Sequence, residues 1–293
     1  MAHWRPRATV RAAVLPSSLQ ISIVTYRPDV RLLERTLRKL ALAIGAARED
    51  GALRTVHLAL IDNSEDRTVA ERVIAIGKAR FADSGVHVIY LHGHLNIGYG
   101  AAHNLVLHGT GADYHLVLNP DVELAADALS NAIRWLDEHP EVGALAPAVF
   151  GPDGTRQYLC KRYPAVFDLF LRGFAPVWVK RAFRRRLARY ELRDKVGIDP
   201  PRDVLGIPAL SGAFMLVRRD AIDRSGGFDP RFFLYFEDFD WSVRLNRITR
   251  SVYVPSVRIV HHGGGAARKG WRHVLAFARS AARFFNKHGW KWA

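Results

Sequence analysis

Short β-prone runs alternate with helical periodicity through the first half of the chain. "LQISIVTY", Leu19 to Tyr26, is a β-rich run and predicts a buried strand. Past Pro28 and Asp29, which can open a helix, "DVRLLERTLRKLALAIGAA" carries apolar residues at helical spacing. "TVHLALIDNS" predicts a second strand that turns polar at Asp62, and a helical run follows from Thr68 to Ala82. Then come a strand, "VHVIYL", a loop, "HGHLNIGYG", a helix through "AAHNLVLHG" and a strand, "YHLVLNPDVEL", that runs into an acidic turn. Strands alternating with helices predict a parallel sheet covered on both faces, and ligands of such folds bind beyond the carboxyl ends of the strands. The polar residues at those ends are the ones to read for chemistry.

Beyond Phe150 the rhythm changes. "GPDGT" is a turn, and "VWVKRAFRRRLARYELRDK" reads as a basic helix. Val179, Phe183, Leu187 and Tyr190 share one stripe of it, and Lys180, Arg181, Arg184, Arg185 and Arg189 take much of the remainder. After the loop "DPPRDVLG", "IPALSGAFMLVRRDAI" resumes the fold. "RSVYVPSVRIVHH" predicts a strand leading into Gly263, Gly264 and Gly265, and "WRHVLAFARSAARFFNKHGWKWA" an aromatic, basic amphipathic helix with an exposed tail.

With 293 residues, 49% of them hydrophobic, the chain has enough apolar surface for one large core or two small ones. No apolar run approaches the roughly 18 to 20 residues of a membrane span, and the opening stretch lacks a signal-peptide core, so a cytoplasmic chain is expected. The single cysteine, Cys160, excludes an internal disulfide and a cysteine-based zinc site. A formal charge of +15 calls for an anionic partner. Nucleic acid, acidic phospholipid and phosphorylated substrates all satisfy it.

Clustered acids narrow the choice. "FFLYFEDFDWSVRL" sets Glu237, Asp238 and Asp240 among aromatic residues, and a carboxylate taken out of water must meet a cation, a donor or a proton. Asp240 is accounted for by a helix N-terminus and by Arg244 four residues on. Two adjacent acids after "FFLYF" are not, and one of them, held in an apolar rim, has the setting of a general base. Asp62 and Asn63 end a strand, where they either accept from a nucleoside or cap the next helix. Gly98 and Gly100 allow close backbone approach to a ligand, without the dinucleotide fingerprint. Asp121, beside Pro120, is either a turn residue or a ligand for a hard divalent cation. Of His261 and His262, one is expected to be structural and the other to reach a metal or diphosphate.

In order and spacing, "IVTYRPD", "IDNSEDRT", "NIGYGAAHN", "LVLNPDV", "LSGAFMLVRRDAIDRSGGFDPRFFLYFEDFDWSVRL" and "IVHHGGG" resemble the inverting nucleotide-sugar transferases of glycosyltransferase family 2, above all its rhamnosyltransferase-like bacterial branch. The resemblance implies an α/β GT-A fold with a central, mostly parallel sheet. An N-terminal extension (1–18) would precede one domain (19–293), with a nucleotide-sugar half (19–125) and an acceptor half (126–293). It places Thr25, Tyr26 and Asp62 around the nucleotide, and Asn96, Gly98 and Asn104 near the donor. Asp121 matches the last acid of a metal-binding D-x-D motif whose first acid is here Asn119, with Mg²⁺ or Mn²⁺ as cofactor. His262, or alternatively His261, lies near metal and diphosphate. Asp238 matches the catalytic base, with Glu237 as its neighbour.

The sequence departs from the pattern in three places. "DNSEDRT" is one residue tight, Ala266 and Ala267 replace a serine, and Trp241 replaces a smaller aliphatic residue. The implied donor is dTDP-L-rhamnose, with UDP-hexoses as the alternative. The implied acceptor is a saccharide, such as one linked to polyprenyl diphosphate, in O-antigen-type synthesis at the inner face of the bacterial plasma membrane. The basic segment from Val177 to Lys195 either lies on anionic lipid or packs on the core. A nucleic-acid-binding module with Trp271, Trp290 and Trp292 as stacking residues leaves Asp121 and Asp238 unexplained, so no nucleic acid is expected. A non-catalytic nucleotide-binding scaffold is the remaining rival.

Overall fold

The computed structural model describes residues 16–263 and 271–293. Residues 1–15 of the expected extension, with Gly264, Gly265, Ala266 and Ala267, lie outside the described residues. In chain order the elements are β1 (Ser17–Thr25), α1 (Val30–Glu49), β2 (Leu53–Asp62), α2 (Arg67–Phe81), β3 (His87–Leu91), α3 (Tyr99–Leu107), β4 (Tyr114–Leu118), β5 (Val122–Leu124), α4 (Ala128–Glu138), β6 (Val142–Phe150) and β7 (Arg156–Gln157). There follow α5 (Val166–Gly173), α6 (Val177–Ala182), α7 (Arg184–Tyr190), α8 (Arg193–Val196), β8 (Val204–Leu205), β9 (Phe214–Arg218), α9 (Arg219–Ser225), α10 (Glu237–Leu245), β10 (Arg250–His261) and α11 (Trp271–His288).

One sheet runs β3-β2-β1-β4-β9-β6-β10-β5. β3, β2, β1 and β4 are parallel, as are β6 and β10, whereas β9 runs against both its neighbours and β5 against β10. Strand periodicity explains the two cores. Leu116 and Leu118 of β4, with Phe214 and Leu216 of β9, face the layer of Leu33, Leu37 and Ile133. Val117, Met215 and Val217 between them face the opposite layer, with Phe228, Ile222 and Trp241. α1 starts where expected, because Asp29 accepts from the backbone N–H groups of Arg31 and Leu32. Cys160 is buried, and burial pushes its thiol up to about 12.

Two elements differ from the sequence reading. "YHLVLNPDVEL" is two strands, because Pro120 lacks the N–H a ladder needs, and β5 crosses to pair with β10. The basic run is three short helices, α6 to α8, broken near Phe183 and at Leu192, whose φ of 53° interrupts the helical path. Its expected stripe faces no common surface: Tyr190 is buried, and Phe183 meets the Phe167 ring edge-on at 5.3 Å.

α11 closes the structure over α10. Phe284 and Phe285 join Phe232 and Phe236 in an aromatic cluster. Beside it, fully buried Asp240 receives Arg244 Nε at 2.9 Å, Lys287 Nζ at 2.6 Å and His288 Nε2 at 2.7 Å. Burial alone would raise this carboxyl, yet the hydrogen bonds from Lys287 and His288 and the charge of Arg244 hold it below the ordinary aspartate range. Replacing Asp240 by Ala should therefore lower unfolding free energy by about 3 kcal/mol, since it strands cations in an apolar setting. Denaturant unfolding at neutral pH measures this, and the deficit should shrink as acid protonates Asp240 in the parent protein.

Candidate active site

All the strand ends singled out by sequence meet at one edge of the sheet. Thr25 pairs in register with Asp62, and Leu118 with Phe214, so Asn119 comes opposite Ala213, whose O accepts from Asn119 N at 3.0 Å, one residue from Gly212. Asp62 does not cap α2, a role taken by Asp66. Its Oδ1 accepts from Thr25 Oγ1 and Ser64 Oγ, each at 2.8 Å, while buried Oδ2 accepts from no described residue. A carboxylate oxygen left this way is costly unless a ligand N–H or O–H reaches it. Tyr26 stands exposed just beyond.

The glycine loop is tied down by its own chain. Asn63 Nδ2 donates to Gly98 O at 3.1 Å, and Asn96 Oδ1 accepts from Gly98 N at 3.2 Å. Gly98, at φ 91°, is required because any Cβ there would lie 2.5 Å from Phe233 O. The expected close approach of a ligand is thus, at this atom, an approach of the Phe233 backbone. Asn104 likewise departs from its expected place at the donor: its Nδ2 donates to Phe228 O at 2.7 Å and its Oδ1 accepts from Phe228 N at 3.0 Å. Both ends of that amide are committed to holding the loop ahead of α10.

At the other end of the edge, His261 rather than His262 comes to Asp121. Neighbouring residues of an extended chain point to opposite faces. His261 Nε2 lies 3.6 Å from Asp121 Oδ1, whereas His262 Nε2 lies 2.7 Å from Glu123 Oε1, itself paired with Arg35. Gln157 sets the His261 tautomer. Its Nε2 donates to His261 O at 3.0 Å, which turns Oε1 toward Nδ1 at 3.1 Å. Oε1 can only accept, so Nδ1 carries the hydrogen and Nε2 presents its lone pair on the side of Asp121. Asp121 Oδ1 accepts no hydrogen bond from the described residues. A Cβ on Gly263 would fall 2.4 Å from Asp121 Oδ2 and 2.8 Å from His261 Nε2, so only glycine keeps this corner open. A carboxylate and an imidazole fit a divalent cation that takes its remaining ligands from phosphate and water. Among the described residues, no cluster of three or more His, Cys, Asp or Glu forms a fuller cage.

Tyr99 joins the two acidic ends. Its hydroxyl lies 2.9 Å from Asn119 Oδ1 and 2.7 Å from Gly212 O, and Gly212 N donates to Asp238 Oδ2 at 3.1 Å. Burial raises the Tyr99 phenol well above its ordinary range, and Glu237, Asp238 and Asp121 all push it further. Asp238 Oδ1 also accepts from Phe239 N at 2.9 Å. Burial raises its carboxyl, and these N–H groups oppose the rise. Glu237 is raised well above its ordinary range by burial and then by Asp238, and its Oε2 has no partner among the described residues. Adjacent carboxyls cannot both ionise readily in such a place, and of the two Glu237 is pushed further toward its neutral form.

The backbone leading in is strained. Tyr235 and Phe236 have φ of 70° and 65°, a region costing about 1 kcal/mol or more per side-chain-bearing residue. Glu237 and Asp238 open onto a cavity of about 350 Å³ whose walls include Tyr235, Phe236, Phe277, Phe174, Arg172 and His273. Tyr99, Ser64, Gln157 and Gly212 were not singled out by sequence. Tyr99 and Gly212 lie inside the quoted motifs, but a neutral tyrosine and a glycine carry no charge signal.

Comparison with known proteins shows the family. A model of the family described as Glycosyl transferase family 2 matches residues 23–226. The chain is 30% identical to the N-acetylglucosaminyl-diphospho-decaprenol L-rhamnosyltransferase of Mycobacterium tuberculosis, over 93% of this chain and 86% of that one. It is 26% identical to the rhamnosyltransferase WbbL of Escherichia coli, over 51% of this chain and 52% of that one. In structure it is similar to a mannosyltransferase of Pyrobaculum calidifontis solved with GDP-Man and Mn²⁺, with a TM-score of 0.58 at 16% identity, covering 95% of this chain and 68% of that one. The sheet and its helical layers form the GT-A fold, and the extent of the sequence match shows that this chain belongs to glycosyl transferase family 2.

Proposed function

We propose that the protein transfers L-rhamnose from dTDP-L-rhamnose to a hydroxyl of a lipid-linked saccharide, with inversion at the anomeric carbon, in cell-surface polysaccharide synthesis at the cytoplasmic membrane face. One observation carries the reading: a line of contacts runs from Asp238 through Gly212 and Tyr99 to Asn119, two residues before Asp121, and Asp238 and Glu237 line a cavity. The rhamnosyl donor and the diphosphate-linked acceptor are supported by the names of the relatives.

In this mechanism Thr25, Tyr26, Asp62 and Asn96 lie on the nucleoside side, with Asp62 Oδ2 as acceptor for a base or ribose hydrogen. Asn119, beside Tyr99, stands on the donor side. Asp121 and His261 would hold Mg²⁺ or Mn²⁺, which when bound neutralises charge on the diphosphate. Asp238, its carboxylate aimed by Gly212 N–H, accepts the acceptor's hydroxyl proton as that oxygen forms the new bond to the anomeric carbon. The bond from that carbon to the diphosphate breaks on the opposite face, and its electron pair leaves with the diphosphate. Glu237, pushed toward its neutral form, adds no second negative charge to repel the leaving group.

Purified protein offered dTDP-, UDP- and GDP-sugars should release nucleotide fastest from dTDP-rhamnose, and preference for a UDP-hexose would replace the donor assignment. Asp238→Asn should lower kcat by about 10² to 10⁴ with donor binding intact. Glu237→Gln, which mimics the protonated acid, should keep most of the turnover. Because burial raises the Asp238 carboxyl above 3.8, activity should fall as pH drops through a pKa above that value. In a thermal-shift titration with Mn²⁺ and donor, Asp121→Asn and His261→Ala should abolish the metal-dependent part of the shift. His262→Ala should largely retain it.

A further inference from the structure

We infer that the rim of the catalytic cavity formed by α5 and α6 docks on an anionic phospholipid surface. This deepens the reading of a lipid-linked acceptor and rests on it. The rim is apolar where water should oppose it. Phe170 and Phe174 are 54% and 58% exposed one turn apart on α5, and Val177 and Trp178 at the start of α6 are 66% and 74% exposed. Contiguous exposed aromatics of this size mark a surface meant for an apolar partner, and tryptophan favours the boundary between headgroups and acyl chains. Cations follow directly. Arg181, Arg184 and Arg185 are exposed, and none forms an ion pair among the described residues, unlike Arg186, which is bound to Asp168 at 2.6 Å.

Apolar residues flanked by unpaired arginines match an anionic bilayer in both respects. The position adds a reason specific to this site. Phe174 and Arg172 line the same cavity as Glu237 and Asp238, so the rim leads from the outer surface to the proposed base. The same cavity is lined by His273 and Val274 of α11, and Leu275 next in sequence is exposed. A diphosphate at the headgroup level would thus reach the cavity mouth with its chain still in lipid. The surface is not the stripe of Val179, Phe183, Leu187 and Tyr190 expected from periodicity, which faces no common side.

Flotation of the full chain with vesicles tests the inference. The protein should float with phosphatidylglycerol–phosphatidylcholine vesicles and scarcely with phosphatidylcholine alone. Combined R181S, R184S and R185S should weaken partition roughly 100-fold, from about one kcal/mol per cation. Trp178→Ser should weaken it roughly tenfold through lost apolar burial. Both variants should keep the parent's melting temperature and its turnover of a water-soluble acceptor. Wild-type tryptophan fluorescence should also be quenched by anionic lipid brominated in its acyl chains, a readout that needs no variant. Absence of flotation, flotation unchanged in both variants, or absence of quenching overturns the docking surface. Turnover of the soluble acceptor without flotation leaves the transferase reading standing and removes this one. Flotation without transfer to any acceptor does the reverse.

Discussion

The hydrogen bond from Gly212 N–H to the Asp238 carboxylate, 3.1 Å long, ties the segment before β9 to the first turn of α10. It exists because β9 enters the sheet against the direction of β4 and β6, so that the segment before it arrives at the edge where β1, β2 and β4 end. A parallel strand in that position would deliver its carboxyl end there and put Gly212 at the far side. With β9 reversed, Gly212 offers its N–H to Asp238 and its C=O to Tyr99, whose hydroxyl also faces Asn119. One residue therefore links Asp238 to Tyr99 and, through it, to Asn119.

Holding two adjacent acids at such a place has consequences for the rest of the chain. Tyr235 and Phe236 take left-handed backbone conformations just before Glu237, and the aromatic cluster with Phe284 and Phe285 holds them there. That cluster depends on α11, which is fastened to α10 where Lys287 and His288 reach Asp240. Of the three acids in "FEDFD", then, each has a different fate set by its surroundings. Glu237 is pushed toward its neutral form, Asp238 accepts from backbone donors, and Asp240 is an ionised anchor.

The first half of the molecule was legible because local pattern and tertiary role coincide there. β1 and β2 are apolar runs that end in Thr25 and Asp62, and the parallel register then has to bring those ends together. Asp29 caps α1 where a capping residue was expected. The acids at Asp121 and Asp238 stood out because charge among apolar residues requires an explanation wherever the chain goes.

Other assignments depended on direction, which a sequence carries weakly. His261 and His262 are indistinguishable by type, and only the facing of the strand end settles which ring meets Asp121 and which meets Glu123. Gly98 and Asn104 look ready for a ligand, but segments more than a hundred residues later, Phe233 and Phe228, occupy those contacts. The basic run kept its periodicity on paper and lost it in space, because the turns at Phe183 and Leu192 rotate each short helix separately. Sequence alone determined which elements form and which charges need partners, since both follow from neighbours along the chain. Tertiary structure decided which partner each charge meets, because that is set by strand direction and by packing between distant segments.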